Sequence, residues 1–395
     1  MRILWISSLA WKKDGQYVFP VNGAGAVSGS LFQQSMIEGL EAQGHTVDIV
    51  CDYPHAPGKR IKPEYRWFHR EGARDVAVRA VNFPYVSVLF KSFFMTRWVK
   101  KMVKENRYDV AIAYLIHQPY MACLKKAKKL CPKTKTVLIC PDLPDMMDMT
   151  LSEKKLKAFL KKLDMNRIRK LYEKVDGYVL FAEPMKEQIP VKEKPWTVIE
   201  GVATVDDLDT TPVEKEKFML YAGTLHKNIG VENIIKSLDY IDDPSVTLKL
   251  YGTGELEEHI RNVAAKNPRV TYGGFVDRNT LFEEQKRAIA LVNARGTEMP
   301  FTRYSFPSKT FEYLYSKTPF VTTKLAGIPQ EYWEFLFSIE DNEPQTIARE
   351  INRILQTENK TLEERGERAR AFVATQKSKA TQAKALNAFL EGLQA

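Results

Sequence analysis

The sequence predicts an α/β protein of two doubly wound domains in series, and three observations carry that prediction. Its 395 residues exceed what one ordinary hydrophobic core holds. Residues 2–8 and 46–51 are short apolar runs on either side of an amphipathic stretch at 31–43, a strand–helix–strand opening at the very start. After an aperiodic stretch at 196–217, charged, threonine-rich and interrupted by Pro212, a fresh apolar run at 218–222 starts the alternation again. Domains are therefore expected at 1–198 and 214–375, with the hinge between them.

In the first half, the strand at 2–8 leads into a long connection containing Gly23, Gly25 and the pair Ser28-Gly29. Glycines there let backbone amides approach an anion closely. A plain flexible connection has the same composition, because the full dinucleotide fingerprint is missing. Alternation resumes at 76–82, followed by a helix at 86–105, a strand at 109–115, a helix at 119–130, a strand at 136–140 and a helix at 153–173. His117 follows one of these strands, and Asp142 with Asp145 follows the next. Ligands in open α/β sheets gather at such carboxyl ends, although a lone loop histidine is commonly structural.

The helix at 86–105 carries two signals. Met95, Trp98, Val99, Met102 and Val103 form a core stripe opposite Arg97, Lys100, Lys101 and Lys104, while Phe90 and Phe93 project towards the basic side. Aromatics beside lysines suit docking into an anionic headgroup layer. A solvated lysine face over an ordinary core accounts for the same pattern. A second lysine-faced helix at 153–173, striped by Leu156, Phe159, Leu160 and Leu163, adds to the basic surface, as do Lys125, Lys126, Lys128 and Lys129.

Charge is unevenly spread. Residues 1–200 hold 34 Lys and Arg against 21 Asp and Glu, whereas the remainder holds 25 against 28, so the net +10 belongs to the first half. Such a half can face nucleic acid, an anionic membrane leaflet or an acidic polymer. Nucleic acid is the least supported of these, since the basic residues lie on helix faces without a reading motif. With 44% hydrophobic and 27% charged residues the chain has a globular composition, and no run of eighteen apolar residues appears. The N-terminus enters a strand directly rather than reading as a signal peptide. Cys51, Cys123, Cys131 and Cys140 are scattered without a Cys-x-x-Cys pair, which fits a reducing cytoplasm and no zinc site.

In the second half, the strand at 218–222 runs into Gly223-Thr224-Leu225-His226-Lys227, and the strand at 246–251 ends in Gly252-Thr-Gly254. The informative stretch begins where the run at 288–292 delivers Asn293 and Arg295 into a polar loop. Pro307 and Ser308 then open an amphipathic segment at the carboxyl edge of that strand. Amides at that helix start, with Lys309 in its first turn, make a site for a phosphate, and Glu312 lies one turn on, within reach of a sugar hydroxyl. Glu312 alone would equally be a surface carboxylate stabilised by the helix dipole. Beyond residue 345 the pattern is amphipathic helix to the end.

The run Arg303-Tyr304-Ser305-Phe306-Pro307-Ser308-Lys309, followed by Phe311-Glu312-Tyr313, resembles the donor-site motif of retaining GT-B glycosyltransferases of family 4, most closely their bacterial capsule and exopolysaccharide members. The resemblance is specific over 288–332 and looser elsewhere. It implies two Rossmann-like domains facing each other across a cleft, the first for the acceptor and the second for a nucleotide-sugar, with a last helix at about 378–395 crossing back onto the first. It also implies a cytoplasmic enzyme, docking at the inner face of the cytoplasmic membrane if the lysine-rich helices bind it.

By the same resemblance Glu312, the family's second glutamate, accepts the ribose hydroxyls. Lys309, the amides near Ser308, Lys227 and Arg295 bind the diphosphate. Phe275 and Val276 neighbour the base, and Gly29 lies near the donor phosphates. On the acceptor side His117 and Asp142 match positions close to the reacting centre. Three positions depart from the family pattern: Tyr304 replaces the first glutamate at the donor, and either takes over a hydrogen bond there or leaves it to Glu298; Thr224 holds the place of a donor-binding arginine; and Pro141 stands where a histidine usually precedes Asp142.

Neither Asp142-x-x-Asp145-x-x-Asp148 nor Asp207-Leu-Asp209 has the setting of a metal site, so the expected reaction needs no metal and no cofactor beyond the donor. The expected partners are a nucleotide-sugar and a glycan or lipid-linked acceptor. The same architecture also serves nucleotide-sugar 2-epimerases, and a degenerate copy would be a non-catalytic subunit of a polysaccharide assembly.

Overall fold

Short apolar runs buried on both faces become the strands of parallel sheets, and the computed structural model shows two such sheets in two units. Described are residues 1–13, 16–18, 27–53, 61–81, 83, 87–143 and 155–395, with the backbone alone at 27, 28, 155–162 and 300. The first unit is Met1–Val202 with Lys379–Ala395; the second is Ala203–Ser378.

In the first unit, β1 (Arg2–Ser8) pairs in parallel with β4 (Thr46–Asp52) on one side and β9 (Val110–Tyr114) on the other. Small two-residue ladders join β2 (Lys12–Lys13) to β3 (Gln16–Tyr17) and β5 (Ile61–Lys62) to β8 (Ala80–Val81). The eight-stranded sheet is completed by β6 (Tyr65–Trp67), β7 (Asp75–Ala77), β10 (Lys135–Cys140), β11 (Gly177–Leu180) and β12 (Trp196–Val198), in the order β12-β11-β10-β9-β1-β4-β7-β6. Only β6 runs antiparallel to its neighbour.

Two expectations need correction here. The run at 76–82 is two short strands in different ladders, and β12 occupies the first residues of the stretch read as aperiodic. Strands of two or three residues are too short to display a period.

Helix α1 (Val27–Ala42) begins earlier than its apolar stripe, and Gln33 shows why. Its buried side chain accepts from Trp5 Nε1 (3.0 Å) and donates to the carbonyls of Ser8 (3.0 Å) and Gly29 (3.1 Å). The end of β1 is thereby tied to the first turn of α1. The final helix, Lys379–Gln394, packs on α1 at a point where a Cβ on Gly39 would stand 2.3 Å from the Ala383 methyl, so only glycine permits that approach. Ala383, Leu386, Leu390 and Leu393 join Ile37, Leu40 and Val47 in the core of the first unit. The sheet is further flanked by α2 (Ser87–Glu105), α3 (Gln118–Leu130) and α4 (Lys155–Leu171). In α2, Met95, Val99, Met102 and Val103 are buried as expected. Trp98 is only partly buried: its Nε1 donates to Glu64 (2.6 Å), with Arg66 and Lys101 over its ring.

The second unit is a six-stranded parallel sheet, β15-β14-β13-β16-β17-β18, built from β13 (Glu216–Ala222), β14 (Thr247–Tyr251), β15 (Val270–Gly274), β16 (Ala288–Asn293), β17 (Phe320–Thr323) and β18 (Phe337–Ile339). Its helices include α5 (Val231–Ser237), α6 (Glu257–Lys266), α7 (Arg278–Arg287), α8 (Pro300–Arg303), α9 (Thr310–Tyr315), α10 (Pro344–Gln356) and α11 (Asn359–Gln376). Ala203, Val205 and Leu208 are buried with Phe218, Phe282 and Leu325, so the chain entering this unit is packed onto it rather than free.

Candidate active site

In the second unit the carboxyl ends of three strands are knitted into one platform. Gly252 has φ +131°, and a Cβ there would lie 1.8 Å from the Gly223 carbonyl; a Cβ on Gly254 would lie 2.3 Å from that of Leu225. The loops after β13 and β14 therefore touch backbone to backbone. Gly230 (φ +83°) is likewise pressed against the Ala294 carbonyl after β16. Tyr313 closes the arrangement from α9: its hydroxyl takes the Ala222 N–H (3.0 Å) and donates to the Ala222 carbonyl (3.1 Å), fixing α9 to the end of β13.

Helix α9 starts at Thr310, later than the Pro307–Ser308 opening expected from the sequence, with Lys309 as its N-cap and a turn closed by the Thr310 N–H on the Pro307 carbonyl. With only six residues its dipole is weak, so an anion here is attracted mainly by side-chain charge. Lys309 Nζ lies 2.8 Å from Glu312 Oε2, and Arg278 Nε 2.8 Å from Oε1. Burial raises the Glu312 carboxyl pKa, but the charges of Lys309 and Arg278 outweigh it and hold the group below its ordinary value. Glu312 is thus an ionised acceptor, 17% exposed, with both oxygens oriented.

Arg295 is partly exposed at the end of β16, with burial lowering its pKa and the hydroxyls of Tyr221 and Tyr313 nearby. Its Nε donates to Asn293 Oδ1 (3.3 Å), and no carboxylate among the described residues pairs with it. Thr224 and Lys227 are exposed on the loop after β13, where the Lys227 N–H is held by Glu255 (3.0 Å). Phe275 is 72% exposed on the turn after β15, and Val276 packs against the core. Ser308 is exposed. Tyr304, at the end of α8, is 9% exposed.

In the first unit, the ends of adjacent strands β1, β9 and β10 bring Gly29, His117 and Asp142 to one edge. A Cβ on Gly29 would lie 3.2 Å from the Tyr114 hydroxyl. Burial pushes that phenol's pKa up, and the charge of Asp142 adds to the effect. Asp142 itself has its pKa raised by burial. His117 caps α3 with extended backbone, its ring edge-on to Tyr120, whose hydroxyl donates to Asp52 at the end of β4 (3.0 Å). Lys91 from α2 pairs with the same Asp52. Ser28 is described in backbone only, and the connection at 21–26, Asp145 and Asp148 lie outside the described residues.

Sequence reasoning missed Arg278, Tyr313, Tyr114 and the Asp52–Lys91 pair. The one local signal was Asp277-Arg278-Asn279-Thr280, whose aspartate caps α7 through the Asn279 and Thr280 amides.

Comparison with known proteins agrees with this two-part construction. A model described as "Glycosyl transferase 4-like domain" matches residues 31–192, and one described as "Glycosyl transferases group 1" matches 206–372. No curated protein sequence matches. Among solved structures the chain is similar to a sucrose-phosphate synthase from Thermosynechococcus elongatus (16% identity, 99% of this chain and 98% of that one, TM-score 0.69). It is also similar to HepE from Anabaena, solved with UDP (15%, 99% and 100%, 0.65), and to the catalytic domain of starch synthase IV from Arabidopsis thaliana, solved with ADP and acarbose (9%, 99% and 99%, 0.66). With one glycosyltransferase domain model on each unit, the chain is a glycosyltransferase, and the solved structures show that it has the GT-B fold.

Proposed function

We propose that the protein transfers a glycosyl group from a nucleotide-sugar to a glycan or lipid-linked acceptor, with retention of anomeric configuration, in bacterial surface polysaccharide synthesis. The observation that carries the donor reading is the Glu312 carboxylate, kept ionised and oriented by two cations at the carboxyl edge of the β13–β16 platform. Glu312 accepts the ribose hydroxyls, and Lys309, the Ser308 turn, Arg295 and Lys227 face the diphosphate. As the bond between the anomeric carbon and phosphate breaks, charge grows on the leaving diphosphate, and cations fixed there stabilise the transition state more than the ground state. The leaving phosphate assists deprotonation of the acceptor on the same face, with Asp142 and His117 on the acceptor side.

Membrane contact belongs to the same proposal. Among the described residues no helix is long and apolar enough to cross a membrane. Leu89, Phe90 and Phe93 are nevertheless 54%, 42% and 59% exposed in the first turns of α2, and Arg97, Lys100, Lys101 and Lys104 are exposed further along it. This pairing of apolar tips with cations suits an anionic headgroup layer holding a lipid-linked acceptor. Sedimentation with anionic vesicles at low salt and release at high salt is the expected result; a protein that stays in the supernatant at both refutes it.

The donor reading is tested by thermal unfolding with UDP, GDP, dTDP, CDP and ADP in parallel, beside Glu312→Ala. A nucleotide present at a hundredfold its dissociation constant stabilises the fold by about 2.7 kcal/mol. One nucleotide is expected to shift the wild type and not the variant. No shift with any of them, or an equal shift in Glu312→Ala, overturns the ribose role.

A further inference from the structure

Each guanidinium nitrogen of Arg278 donates to a different acceptor. Nε donates to Glu312 Oε1 (2.8 Å), Nη1 to Asp207 Oδ1 (2.9 Å) and Nη2 to the Thr204 carbonyl. The first acceptor is the carboxylate assigned above to the ribose. The other two lie on the stretch where the chain has just entered the second unit at Ala203. That stretch is gripped on both sides of Thr204 by buried Ala203 and Val205 and further on by buried Leu208, so the arginine holds the polar edge of a segment already seated by apolar contacts. The base of the arginine is equally fixed. It is the first residue of α7, whose cap Asp277 accepts from the Asn279 and Thr280 amides at 3.0 Å each. Asp277 in turn follows directly on the Phe275–Val276 turn.

We infer that Arg278 is a positioning residue: it aims the Glu312 carboxylate and makes the segment 204–207 sense whether the donor is bound. The inference rests on the ribose role of Glu312. A planar fork holds one carboxylate oxygen in a fixed direction, and an ammonium does not reproduce that geometry. A carboxylate has about four acceptor positions. With Arg278 and Lys309 occupying one on each oxygen, the remaining positions are left pointing where a vicinal diol is taken up. A diol that immobilises Glu312 also immobilises its arginine, and through Nη2 the Thr204 carbonyl. Linkage is reciprocal, so loosening 204–207 weakens nucleotide binding by the same factor that binding tightens 204–207. Asp207 is 69% exposed and its pair is screened, so the Thr204 carbonyl is the tether that matters.

The test compares wild type, Arg278→Ala, Arg278→Lys and Glu312→Ala by titration with the nucleotide that stabilises the wild type and by amide hydrogen exchange with and without it. The nucleotide is expected to slow exchange at 204–208 and 274–277 in the wild type. In Arg278→Ala the dissociation constant rises at least tenfold, and at saturating nucleotide the protection at 274–277 persists while that at 204–208 is lost. Arg278→Lys recovers part of the affinity but not the protection at 204–208. If Glu312→Ala loses binding while Arg278→Ala keeps wild-type affinity and wild-type protection, the Arg278 inference is overturned and the ribose role stands. If no nucleotide binds, or Glu312→Ala binds like the wild type, the ribose role fails and the inference falls with it.

Discussion

His69 offers a perturbation whose size follows from its surroundings. Its side chain is 1% exposed, with Nδ1 2.7 Å from Asp75 Oδ2 and Nε2 3.0 Å from Glu41 Oε1, and the rings of Trp11 and Trp67 stand 4.9 and 6.3 Å away. Arg70 pairs with the same Glu41. Burial alone would lower the imidazole pKa, but the hydrogen bonds to Asp75 and Glu41 outweigh it and raise it from 6.5 to about 9. A folded pKa above the unfolded one means stability that is fully present below pH 6.5 and lost as the pH rises through about 9. Moving a pKa that far corresponds to about 3 kcal/mol. Burial raises the Asp75 carboxyl, while at Glu41 the hydrogen bonds of His69 and Arg70 outweigh burial and lower it. The assay is urea unfolding of wild type and His69→Gln at pH 6 and pH 10, read from tryptophan fluorescence, with other groups cancelling in the difference. The stability advantage of the wild type is expected to shrink by about 3 kcal/mol between the two pH values. An advantage that is the same at both would mean the imidazole is neutral when folded, and the ion-pair account would be wrong.

Asp142, its carboxyl pKa raised by burial, is ionised only above a pH higher than that of an ordinary aspartate. The acid limb of kcat against pH should therefore lie above that of an ordinary aspartate, while Asp142→Asn lowers kcat, flattens the limb and leaves nucleotide affinity intact. An unchanged limb in the variant removes Asp142 from the chemistry. Two glycines separate backbone strain from collision: Gly252→Ala meets both a φ of +131° and the Gly223 carbonyl, whereas Gly274→Ala meets only a φ of +69° with nothing within 4 Å. Urea unfolding should show a loss of about 3 kcal/mol or more for the first and about 1 kcal/mol for the second. Equal losses would mean that the loops after β13 and β14 separate without cost.

What could be read from the sequence was whatever one segment carries by itself. The strand end at Asn293, the turn at Pro307 and the Lys309-to-Glu312 spacing lie on consecutive residues, and helical geometry alone brings that lysine and glutamate together. Arg278 could not be read, because its acceptors lie 34, 71 and 74 residues away and only the fold gathers them. The same holds for Tyr313 and Ala222, 91 residues apart. Likewise the parallel register of β9 and β10, not any spacing, brings His117 and Asp142 to the same edge of the sheet.

Tyr304 shows how a departure from a motif acquires a physical reason only in three dimensions. Its position closes α8 and is 9% exposed, so an ionised carboxylate there would be taken out of water at substantial cost, whereas a phenol ring is at home. Glu298, the alternative carboxylate, is exposed and folds back so closely over Gly296 that a Cβ there would stand 2.0 Å from its Oε1.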